Sequence, residues 1–141
     1  MMSSLDNLVR IGKLKTEPPA QAEINGLVRS GLARLADAQS GSISIDGRFD
    51  LAYSAGHALA LAALRWQGYR SDNRYLVFQT LTHTVGLPNE QWRVLDAAHQ
   101  KRNVVEYEGL ADVDEELVAA VIRVVKEIAA RVVELGSVSA D

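Results

Sequence analysis

Between Gln21 and Leu135 apolar residues return every three or four positions, in stretches cut by glycine and proline. Residues three and four apart share one face of a helix, so a chain patterned this way has helices to pack and little else. The alternation Ser42-Ile43-Ser44-Ile45 is the one strand-like run, and it has no partner run to receive its hydrogen bonds. Residues 39–49 therefore read as a loop.

The first helical stretch runs from Gln21 to Ala38, with Ile24, Leu27, Val28, Gly31, Leu32 and Leu35 on one side, just after Pro18-Pro19. A second, rich in alanine, is expected from Leu51 to Gln67, capped by Asp50 and ended by Gly68. A third is expected from Asp72 to Val85, closed by Gly86 and Pro88, and a fourth from Asn89-Glu90 to near Gly109. After Asp112 or Asp114 as a cap, Glu115 to Leu135 reads as a long final helix with Leu117, Val121, Val124, Val125, Ile128, Val132 and Leu135 on its buried side. The expectation is an all-α fold, an up-and-down helical bundle of four to five helices. Residues 1–19 read as an N-terminal arm, 20–135 as the helical domain and 136–141 as a frayed C-terminus.

Length and charge narrow the function. A chain of 141 residues holds one ordinary core. The absence of cysteine excludes disulfides, thiolate nucleophiles and Cys-based metal centres. A net charge of -3 gives no global field to hold a polyanion, so an RNA would have to be held by local basic stretches such as Arg65–Arg74 and Arg93–Arg102. No stretch reaches the apolar length of a membrane span, and no basic-then-apolar leader opens the chain. A cytoplasmic protein without membrane attachment is expected.

The fourth helical stretch carries the densest chemistry. Asp96, His99, Arg102, Asn103 and Glu106 fall three or four residues apart and form one polar stripe, with Tyr107 joined to it through Asn103. Arg102 can hold a phosphate through charge-assisted bonds, and Asn103 can orient a ligand oxygen or Arg102 itself. His99, Glu106 and Tyr107 are the candidates for moving protons, with histidine the best matched to neutral pH. Against this stands an ordinary use of the same residues, because Arg102 and Glu106 are also a common i,i+4 surface pair.

The remaining polar residues have plainer readings. His57, in a nearly apolar helix, reads as a satisfied core or interface histidine, and His83, near a helix end, as a capping or solvated one. His57, His83 and His99 are too irregularly spaced for a local zinc motif, so no metal and no cofactor is expected. Most of Trp66, Tyr69, Tyr75, Phe78 and Trp92 should pack in the core, although Trp66 and Tyr69 between Arg65, Arg70 and Arg74 could form a stacking platform for an unpaired base. No glycine-rich phosphate loop and no serine-nucleophile elbow is present in the sequence.

The helix order, the Leu51–Leu64 segment and Arg102-Asn103-Val104-Val105-Glu106-Tyr107 together resemble the HEPN superfamily of small helical proteins, over residues 20–135. The likeness is to stand-alone bacterial members that are often encoded beside a minimal nucleotidyltransferase. The resemblance implies a homodimer that brings two arginine motifs together across a cleft, and metal-independent endoribonuclease activity of the kind found in toxin–antitoxin and defence systems. In that motif an arginine and a polar residue are followed, after four to six intervening positions, by histidine. Arg102 and Asn103 match, whereas the positions where histidine would fall hold Tyr107, Glu108 and Gly109. Two expectations follow: an RNase using Arg102 and Asn103 with His99, Glu106 or Tyr107, or a catalytically degenerate partner of a nucleotidyltransferase.

Overall fold

The structure, a computed structural model, describes residues 3–108 and 113–138, and for 104–108 the backbone alone. It is a helical bundle. In chain order the described elements are α1 (Ser4–Arg10), β1 (Lys15–Thr16), α2 (Gln21–Ala38), α3 (Ile45–Trp66), β2 (Tyr69–Arg70), α4 (Arg74–Gln79), α5 (Leu81–Thr84), α6 (Asn89–Glu108) and α7 (Glu115–Val133). Four long helices thus carry three short ones, where the sequence reading expected four to five in all.

The central element is α3, which packs most extensively on α2 and next on α7, and also touches α4, α5 and α6. Its small residues make this close approach feasible. Ala52, Ala55, Ala60, Ala62 and Ala63 have no exposed surface, and they interleave with the larger Phe49, Tyr53, Leu59 and Leu64. At Gly31 of α2 a β-carbon would lie 2.7 Å from Leu59 Cγ, so only glycine lets the two helices meet at this distance.

Alanine-rich Leu51–Gln67 was expected to form the second helix, and the helix extends six residues further toward the N-terminus. Ser44, not Asp50, caps it by accepting from the Gly47 amide at 3.1 Å. Arg48 then ties the added turns down, donating to the Ala38 carbonyl at the end of α2 and pairing with Glu115 at the start of α7. These are contacts between distant segments, to which local periodicity is blind.

The expected third helix divides at Thr80. Its hydroxyl donates to the Val77 carbonyl at 2.6 Å, a back-bond that loosens the helical ladder, and α5 restarts from the Thr80 carbonyl. Asn73 caps α4, accepting from Leu76 N–H. By contrast α6 begins at Asn89 as expected, and Asp114 caps α7 through Leu117 N–H at 2.8 Å.

Residues 4–16 join the bundle. Leu5 and Leu14 are buried in the core, and β1 pairs antiparallel with β2, Lys15 opposite Arg70 and Thr16 opposite Tyr69. This two-residue ladder is strand content that the sequence reading left out. Gly68, at φ +93°, makes the turn from α3 into β2 that places it there. At the other end Trp66 Nε1 donates to the Gly136 carbonyl, and Val138 N–H to Gln21 Oε1.

The buried Arg65 fastens this corner. At 1% exposure its guanidinium donates to Glu23, to the carbonyls of Glu17, Pro18 and Tyr69, and lies 3.2 Å from the Glu17 carboxylate. Every donor has a partner, the condition under which a buried charge is tolerated. Arg70 bridges the same two glutamates. No helix among the described residues is long and apolar enough to cross a membrane.

Candidate functional site

On α6 the residues Leu95 and Ala98 are buried against the bundle, so the neighbouring positions Asp96, His99, Arg102 and Asn103 come out along the seam where α6 meets α3 and α4. The seam is lined from the other side by Tyr53 and His57, an i,i+4 pair on α3, and by Arg74 and Tyr75 at the start of α4.

His99 is held at both ring nitrogens. Nδ1 lies 2.8 Å from the hydroxyl of Tyr53, which is only 2% exposed, and Nε2 lies 3.3 Å from the Asn103 side-chain nitrogen. An amide nitrogen can only donate, so Nε2 accepts from Asn103 and the ring proton is on Nδ1, donated to Tyr53. This orientation of the Asn103 amide fits a neutral imidazole with its proton on Nδ1. Its rings neighbour Tyr53, stacked at 6.3 Å, and Tyr75 at 5.3 Å, and Tyr75 in turn packs edge-on against Trp92.

Electrostatics agree with the neutral form. Desolvation holds the His99 pKa below the ordinary histidine value; the Asp96 carboxylate opposes the shift, and the Arg102 and Arg74 guanidinia reinforce it. Both arginines approach the ring of Tyr53, Arg102 with its guanidinium carbon 4.7 Å from the centroid and Arg74 at 6.0 Å. His57 packs edge-on against Phe78 at 6.1 Å and is pushed down to about 4, by burial first and then by the same two arginines.

Of the residues singled out from sequence, His99, Arg102 and Asn103 converge here. Asp96 accepts from Gln100 one turn on and acts on His99 through its charge. The side chains of Glu106 and Tyr107 lie outside the described residues. His83, exposed on α5, borders a groove against α1 with Asn7 and Arg10, away from this seam. Among the described residues no three histidine, aspartate or glutamate side chains come together as a metal site.

The expected aromatic–basic platform at Trp66 and Tyr69 is not formed. Arg65 is buried and fully engaged, Arg70 is held by Glu17 and Glu23, and the Tyr69 hydroxyl donates to Asp6. Only Arg74 of that set faces the seam. Sequence reasoning missed Tyr53, His57, Arg74 and Tyr75 as site residues. One signal was there to find: the four-residue spacing of Tyr53 and His57 within the alanine-rich stretch Leu51–Leu64 puts them on one face.

Comparison with protein-family models, curated proteins and solved structures finds no match for this chain.

Proposed function

We propose that the seam between α3, α4 and α6 is a phosphodiester-cleaving site, and that the chain acts as a HEPN-like, metal-independent endoribonuclease of a toxin–antitoxin or defence-type system. The working form is a cytoplasmic homodimer whose two arginine motifs face one cleft. The observation that carries this reading is the linked set Tyr53–His99–Asn103 with Arg102 against the same tyrosine ring. A neutral, oriented imidazole beside an arginine combines a proton acceptor with a phosphate holder.

Arg102 binds a non-bridging oxygen of the scissile phosphate and offsets the charge that builds there. Asn103 turns its amide from His99 to the phosphate, which opens the Nε2 lone pair. Nε2 takes the proton of the ribose 2′-hydroxyl as that oxygen attacks phosphorus and the bond to the 5′-oxygen breaks. The departing oxygen takes up a proton from water, from the Tyr107 hydroxyl or from Glu106 in its acid form, a 2′,3′-cyclic phosphate is left, and His99 releases the proton it took to solvent. Tyr53 keeps the tautomer, as it accepts from Nδ1–H throughout.

A second reading is favoured by one specific departure. Tyr107 stands where the resembled motif has histidine, and a tyrosine titrates far from neutrality. On that reading the chain is a catalytically degenerate partner that binds a minimal nucleotidyltransferase.

Incubation of the purified protein with a mixed structured RNA pool, EDTA present, separates the two. Cleavage by the wild type that falls at least ~100-fold in Arg102→Ala, with helical signal and dimer retained, is the expected result. Intact RNA with co-purification of a nucleotidyltransferase would favour the second reading, and full activity in Arg102→Ala would remove Arg102 from the mechanism.

A further inference from the structure

Arg74 has no role in the chemistry above, yet it faces the same seam. It is exposed at the first turn of α4 and shares the ring of Tyr53 with Arg102. Arg48, Arg65, Arg70 and Arg131 each hold a glutamate, whereas Arg74 has no carboxylate within ion-pair distance among the described residues. Beside it His57 feels both guanidinia and no acid that offsets them. What sets Arg74 apart from other exposed arginines is its place: it shares with Arg102 a seam whose described carboxylate, Asp96, acts on His99. The two guanidinia approach one buried ring from different helices, α4 and α6, so they can engage two different anionic groups of one ligand.

We propose that Arg74 is a second phosphate-binding residue, gripping the phosphate next to the one held by Arg102, so that the site takes an extended ribose–phosphate chain rather than a single phosphate. This rests on the RNA reading of the same seam. Arg74 then sets the length of substrate required, and it touches no reacting atom.

The test uses full-length protein and two probes that lack the attacking hydroxyl and so bind without being cut. One is a 2′-O-methyl hexaribonucleotide, the other a 2′-O-methyl dinucleotide with a single phosphodiester. Arg74→Ala should weaken the hexanucleotide about tenfold and reduce the slope of log affinity against log salt by about one, with Arg74→Lys restoring most of both. Dinucleotide affinity should change by less than about twofold, whereas Arg102→Ala should weaken both probes. Unchanged hexanucleotide affinity and slope in a folded Arg74→Ala protein would overturn the inference and leave the RNA reading standing. An equal loss for both probes would overturn it too, because Arg74 would then hold the same phosphate as Arg102. A wild type that binds neither probe overturns the RNA reading and this inference together.

Discussion

His57 shows what burial, and then neighbouring charge, does to a single residue of this site. Its folded pKa of about 4 lies below the 6.5 of an ordinary histidine, so the unfolded chain binds the proton more readily. Stability therefore rises with pH through this window: the contribution is complete above pH 6.5 and is lost as pH falls toward 4. The ceiling is about 3 kcal/mol, lowered by solvent screening because the ring is only partly buried. Urea unfolding at pH 7 and pH 5 should show wild type losing more stability than His57→Gln, and equal losses would contradict the assignment. His99 shifts in the same direction, so the acid limb of the cleavage rate should lie below 6.5. Both histidines were visible in the sequence. The setting of His57 was not, because its burial is made by packing and the two arginines that add to the shift, Arg74 and Arg102, stand seventeen and forty-five positions further along the chain.

At the scale of elements, amphipathic periodicity located α2, α6 and α7 well, since each presents one apolar face to the core. It failed where tertiary bonds decide the ends. The start of α3 depends on Arg48 reaching α2 and α7, and β1 exists only because Gly68 turns Tyr69–Arg70 toward it. Arg65 is the extreme case, read as part of a basic stretch and found to be the most enclosed large polar side chain among the described residues. Arg65→Met should destabilise the fold by about 3 kcal/mol, because Glu23 and three backbone carbonyls lose their donor at once. Chemical denaturation measures this directly; a loss under about 1 kcal/mol would mean that Arg70 alone can hold the corner. The same split applies to the site: the α6 half was legible as a stripe, and the α3–α4 half was assembled by packing.

In the whole molecule, a bundle built around α3 carries a seam at which α6 and α4 place two arginines and His99 against one buried tyrosine. The proposed dimer doubles that seam across a cleft and should appear in solution at twice the 15.4 kDa chain mass. The most direct measurement of the central claim is the chemistry of the RNA ends left after incubation in EDTA with wild type and with His99→Gln. The expected result is 2′,3′-cyclic phosphate ends from the wild type and a loss of at least ~100-fold in their yield from a folded His99→Gln protein. Cyclic ends formed equally well without His99, or no cleavage by a folded dimeric wild type, would contradict it.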